Sequence, residues 1–300
     1  MLPLVMAALT MILLLGFAAP ASAAVHFVSV PAEFGDALDA YENDDIIRLM
    51  QNIYFDMNDG NIMIDKVVTF DVNGFILEVT GSDDYYLLKV DGESGGKLIL
   101  DDSAGGAFNV IDLGSCGTSV LVTNGSEATV TNIIQKSSNN WTIQVLGGSI
   151  LNVTGNVKCH NNGVKAVDGS AVTIDGTLWV DESLFTYISV GSTDMSKDEG
   201  VYDTSAGYIV YTDDVNTVCL RAICEIDTTP VTWYNDLADA LSDVLDDETI
   251  KLLTNINYNT GILISDKSFT FDVNGFVLNV MCEDSEVTDG GALEVSDGQV

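Results

Sequence analysis

Carboxylates are the commonest reactive groups in this chain, with 45 Asp and Glu against 11 Lys and Arg and a formal charge of −34. Hydrolysis of a glycosidic bond needs two carboxyl groups flanking it in a cleft, one as acid and one as base or nucleophile. Adjacent pairs at Asp83-Asp84, Asp101-Asp102 and Asp213-Asp214 are candidates. In so acidic a chain such pairs arise by composition alone, and they read first as solvated turns. Lyase chemistry on uronates would want a strong base and a cationic clamp for the substrate carboxylate. Arg48 and Arg221 are the only arginines, and neither adjoins a recognisable acid cluster. The two histidines add little. His26 is expected at an edge or in a flexible position, while Cys159 and His160 are adjacent and would point to opposite faces of a strand, unable to share a metal. No His-Glu-x-x-His, phosphate-binding loop or dinucleotide fingerprint is present. No catalytic residue is assigned.

Binding chemistry has more to draw on. Asp168 and Asp175, with neighbouring carbonyls, could hold Ca2+, since hard cations favour oxygen-rich turns. Against that, the equivalent turn positions Asn124, Gly147 and Asp168 mix residue types and avoid a column of like charge, which reads as structural. No other cofactor is expected. Trp141, Trp179 and Trp233 could form a sugar-stacking platform, although Trp179 lies between Leu178 and Val180 and reads rather as cover for a core edge. The charge balance argues against nucleic acid and anionic membrane surfaces as partners. Five cysteines are too thinly spread for a disulfide framework, and a Cys219–Cys224 bond would need a turn at Arg221-Ala222. The others read as small buried apolar residues.

The elements that position these residues are strands. One phrase occurs three times: Val120-x-Val122-Thr123-Asn124-Gly125-Ser126, Ile143-x-Val145-Leu146-Gly147-Gly148-Ser149 and Val164-x-Ala166-Val167-Asp168-Gly169-Ser170. Alternating runs follow at Thr129 to Asn132, Asn152 to Gly155 and Thr173 to Gly176. Alternation means strands, and the Asn-Gly, Gly-Gly and Asp-Gly pairs mean tight turns at positive φ. Units of about 22 residues cannot bury their own apolar faces and are expected to stack. Asn124, Gly147 and Asp168 should then lie over one another, as should Asn132, Gly155 and Gly176.

A longer repeat frames this ladder. Phe70-Asp71-Val72-Asn73-Gly74-Phe75 recurs as Phe271-Asp272-Val273-Asn274-Gly275-Phe276, and Ile47 to Ile53 answers to Ile250 to Ile256. A short amphipathic helix over Phe34 to Tyr41, apolar at 34, 37, 38 and 41, is matched over Tyr234 to Leu241. Strands are expected at Val67 to Phe70 and Phe75 to Val79 about Asn73-Gly74, and a projecting loop from Gly191 to Gly207. The chain divides into a leader over 1–23, a first module over 24–229, joined at Thr228-Thr229-Pro230, and the truncated start of a second over 230–300. The apolar run Leu2 to Ala19 followed by Ala21-Ser22-Ala23-Ala24 reads as a secretory signal cleaved after Ala23 or, lacking a leading Lys or Arg, as an uncleaved anchor. No second stretch is long and apolar enough to span a bilayer.

The order of helix, Asp45-to-Leu49 strand, Phe-Asp-Val-Asn-Gly-Phe phrase and Gly-Ser ladder resembles the pectin-lyase-like right-handed β-helix modules of large bacterial or archaeal surface proteins. The resemblance covers nearly the whole mature chain. It implies an all-β, right-handed parallel β-helix (β-solenoid) with short capping α-helices, secreted or displayed on a cell surface and continuing into further repeats of a longer chain. The same coil serves lyases, hydrolases, adhesins and spacers, and the family's catalytic residues find no match here. The expected role is a non-catalytic adhesin or stalk meeting an extracellular glycan or a host or neighbouring-cell surface protein. The alternative is a polysaccharide lyase or glycoside hydrolase.

Overall fold

The structure, a computed structural model, describes residues 23–57, 61–81, 86–114, 117–136, 140–180, 185–281 and 293–296. The expected leader as far as residue 22, Asp83-Asp84, Cys116 and Cys282 lie outside the described residues.

From Asp45 onward the chain visits three parallel sheets in rotation. Asp45–Leu49 lies in a ten-stranded sheet, Ile53–Met57 in a six-stranded one and Ile62–Ile64 in a seven-stranded one; Val67–Asp71, Ile76–Gly81 and Tyr86–Asp91 then repeat that order. The rotation continues to Ile188–Val190, each strand pairing in parallel with the one that preceded it in its sheet. Val67–Asp71 and Ile76–Gly81 are therefore not partners, and Asn73-Gly74 turns a corner between two sheets. Among the described residues the chain is mainly β, with two short α-helices.

Alternation explains the core. In the seven-stranded sheet Ile62, Leu88, Val120, Ile143, Val164 and Ile188 fall in register and none is more than 1% exposed. Each such side chain contributes about 1.5–3 kcal/mol by leaving water. Phe34, Phe70 and Phe108 extend the core as edge-to-face pairs with centroids 5.6 and 5.3 Å apart.

The Gly-Ser phrases sit at corners that superpose. Val122 pairs with Val145 and Val145 with Ala166 before the corners, and Glu127 with Ile150 and Ile150 with Ala171 after them. Asn124, Gly147 and Asp168 consequently stack, at φ of 60°, 67° and 58°. The serines link successive corners. Ser149 Oγ accepts Gly125 N at 3.0 Å, Ser170 Oγ accepts Ser149 N at 3.2 Å, and Asn216 Oδ1 ends the series on Gly169 N at 2.8 Å. At the next corner the expected column slips by one residue. Register changes from Val130↔Val153 to Ile133↔Val157, so Gly155 N meets Thr131 O, and the Asn132 carboxamide takes Asn156 N at 2.7 Å. A Cβ on Gly155 would lie 2.3 Å from Asn132 Oδ1, so only glycine admits this approach.

The region expected as a projecting loop is instead paired. Thr193–Met195 folds back antiparallel on Ile188–Val190, while Tyr208–Thr212 extends the ten-stranded sheet antiparallel to Thr217–Arg221 and Val201–Asp203 adds antiparallel to Tyr208–Thr212. Three-residue strands rich in polar side chains leave no alternation long enough to read. Beyond Arg221 a second core begins at Ile223, abutting Ala222 of the first. Its four-stranded sheet places Cys224–Ile226 between antiparallel Thr232–Tyr234 and Thr249–Leu252, with Thr270–Asp272 parallel beyond. The first helix runs Pro31–Ala40 with proline in its opening turn, and the second Leu237–Asp243, where Asp236 caps the end by accepting Ala238 N at 2.9 Å. Tyr234, expected in that helix, belongs to a strand. Among the described residues no helix is long and apolar enough to cross a membrane.

Candidate functional site: an aromatic and acidic cleft

The antiparallel insertion and the second helix face each other across a cavity of about 270 Å³, whose walls include Tyr187, Lys197, Tyr211, Trp233, Tyr234 and Asp243. Strand alternation puts Tyr211 into the floor, and Tyr187, just ahead of Ile188–Val190, joins it; they are 2% and 3% exposed, with ring centroids 6.1 Å apart. Trp233 stacks on Tyr202 at 4.6 Å and 18°, and its indole Nε1 donates to Glu225 at 3.0 Å, which fixes the plane of the ring. Lys197 spans the gap, its ammonium 2.9 Å from Asp239 of the second helix and 5.4 Å from the Tyr187 centroid.

Beneath the cleft, Asn235 joins the two cores. Its side chain accepts Leu178 N at 2.6 Å and donates to Gly176 O at 2.8 Å and Arg221 O at 2.7 Å. Asn235 is 6% exposed, so these bonds form away from water, where an unmet partner is costly.

The cleft's electrostatics are one-sided. Burial pushes the Tyr234 phenol up, and the neighbouring Asp243 carboxylate adds to the effect. Asp236 is likewise raised, by burial first and then by Asp239. Such shifts mark negative charge short of counter-charge in a partly dehydrated place. Flat aromatic rings beside carboxylates can pack the C–H face of a ring or hold a cation.

Of the tryptophans read as a platform, only Trp233 is here. Trp141, Trp179 and Trp233 stand in the seven-, six- and four-stranded sheets and share no face. Trp179 does not cover a core edge. Burial of Leu178 and Val180 turns it outward, 43% exposed, with Lys158 over its ring at 5.4 Å. Lys165 lies over Trp141 at 5.8 Å.

The acids singled out earlier disperse. Asp168 and Asp175 flank Ala171–Ile174 at opposite ends, on the order of 20 Å apart along extended chain. Asp168 lines a shallow groove with Lys165 and Asp213. Asp175 accepts the Tyr208 hydroxyl at 2.5 Å and Arg221 Nη2 at 2.9 Å. Burial, followed by that bond, pushes the Tyr208 phenol up to about 12. Asp101 and Asp213 hold backbone amides of their own turns, Ser103 N at 3.1 Å and Asn216 N at 2.7 Å. Among the described residues no three His, Cys, Asp or Glu side chains gather as a metal cage. His26 is on the sheet's edge strand, 3.0 Å from Asp45, and His160 is exposed while Cys159 is buried. Cys159, Cys219 and Cys224 are free thiols, and burial pushes that of Cys159 up to about 12.

Sequence reasoning missed Tyr187, Lys197, Tyr211, Asn235 and Asp239 as neighbours. The cluster of aromatic residues at Tyr208, Tyr211, Trp233 and Tyr234 about the module join was the available signal. Comparison with protein-family models, curated proteins and solved structures returned no match.

Proposed function

We propose that the three-sheet stack is a right-handed parallel β-helix of the pectin-lyase-like kind and that the chain is a secreted or surface-displayed, non-catalytic stalk or adhesin contacting glycans. The observation that carries this reading is the strict rotation of strands through three parallel sheets, with corners held in register by side-chain amides and hydroxyls. A frame bonded along its whole axis resists bending and offers long flanks to a partner, which is what a spacer or adhesin requires. Rings set beside carboxylates at the junction of the two cores supply the contact surface, because binding sites favour concavities between packed units.

Three measurements test it. Small-angle scattering should give an elongated particle; a compact one sinks the stalk. A glycan array probed with and without Ca2+ should show binding that Trp233→Ala abolishes. Incubation with acidic and neutral polysaccharides should leave them intact, and release of reducing ends or unsaturated uronates would replace this reading with an enzyme.

A further inference from the structure

The cleft between the insertion and the second helix already holds one ammonium, that of Lys197. Lys197 places a primary ammonium between a carboxylate, Asp239 at 2.9 Å, and an aromatic face, Tyr187 at 5.4 Å. That is the arrangement by which rings and carboxylates hold cations. The occupation is incomplete. Asp198, Asp239 and Asp243 line the cavity with Lys197 as the one cation among its lining residues. Asp198 and Asp243 are both exposed, and each accepts a hydrogen bond from a neutral hydroxyl: Ser196 Oγ at 2.6 Å and Tyr234 Oη at 3.3 Å. A second positive charge therefore fits where the first does not reach.

We infer that this cleft binds an unacetylated amino sugar, its pyranose ring against Trp233 and Tyr234 and its ammonium beside Asp198 and Asp243. The inference rests on the glycan-contact reading and narrows it to one sugar class. At about 270 Å³ the cavity lies below the ~300 Å³ at which pockets for drug-sized ligands begin, so one ring enters and the polymer leaves through the open side. An N-acetylated sugar would leave both carboxylates unmatched. A uronate would meet them as like charges, which costs affinity directly.

The test titrates the whole chain with glucosamine oligosaccharides, fully N-acetylated counterparts and a lysine oligopeptide, read by calorimetry and by Trp233 fluorescence. The glucosamine oligomer should bind, and the acetylated one should bind more weakly by about tenfold or more, the scale of one charge-assisted hydrogen bond. Asp198→Asn with Asp243→Asn should weaken the glucosamine oligomer by a similar factor with circular dichroism unchanged. Equal binding of the two sugars, or an unaffected double variant, overturns the amino-sugar assignment while leaving glycan contact standing. Tighter binding of the lysine peptide overturns it in favour of a protein partner. Binding of no sugar at all removes both this assignment and the glycan reading of the cleft.

Discussion

The phrase Phe-Asp-Val-Asn-Gly-Phe occurs twice, with the same local bonds and different burial. In both copies the asparagine turns at φ 49°, its side-chain Nδ2 donates 3.1 Å to a carbonyl in the preceding pass (Leu49 or Leu252), and the second phenylalanine N bonds the valine carbonyl at 2.7 Å. Asn52 takes Ile76 N at 3.0 Å, and Asn255 takes Val277 N at 2.9 Å. Lys66 reaches Tyr41 O at 3.0 Å at the end of the first helix, and Lys267 reaches Ser242 O at 2.7 Å at the end of the second. Burial then diverges. Phe70 and Val72 are 1% and 0% exposed, whereas Val273, Phe276 and Val277 are 46%, 36% and 61% exposed. Val67–Asp71 is covered by the following strand Lys97–Asp101, while Thr270–Asp272 is an edge strand among the described residues. Local bonds follow the phrase itself; burial follows the neighbouring pass.

The largest test of this contrast is paired truncation. Phe70→Ala should cost about 3–5 kcal/mol, as for a fully buried phenylalanine, and Phe271→Ala less than half of that, measured by urea unfolding. Equal losses would mean that burial does not separate the copies. Next comes the joint between them. Asn235→Ala strands buried groups on Leu178, Gly176 and Arg221 and should cost roughly 1–3 kcal/mol, with faster amide exchange at Leu178. Lys66→Met and Lys267→Met should each cost about 0.3–1 kcal/mol by thermal unfolding, alike because both serve a helix C-terminus. The smallest effect is in acid. Asp45 is buried, which alone would raise it, yet bonds from His26, Glu42 N and Ala24 N hold it below 3.8. Its contribution is complete above that value and is lost as pH falls through the lower folded one. Asp236 is raised, so its contribution has the opposite sign, complete below 3.8 and lost as pH rises through the higher folded value. Asp236→Asn keeps the cap and should stabilise the protein by a few tenths of a kcal/mol at neutral pH. A thermal melt at neutral and acid pH should show that gain disappear on acidification.

The ladder was legible because two of its constraints are local. Period-two alternation from Val120 to Ile174 assigns each side chain a face, and the left-handed corner at Asn124-Gly125 admits few residue types. Boundaries were less legible. The first helix begins at Pro31 rather than Phe34, and the slip at Asn132 is one extra residue absorbed at a corner, which alternation on either side does not register.

Sequence alone determined the mainly β class, the stacked Gly-Ser corners and the second copy of the opening phrase, because each depends on conformational preferences within a few residues. Tertiary structure decided that the 191–207 segment pairs instead of projecting, that Trp179 faces out, and that Tyr187, Lys197, Trp233 and Asp239 share a cavity. Lys197 and Asp239 lie 42 residues apart in the chain and 2.9 Å apart in space. Such contacts depend on which passes become neighbours, and no spacing along one strand encodes that.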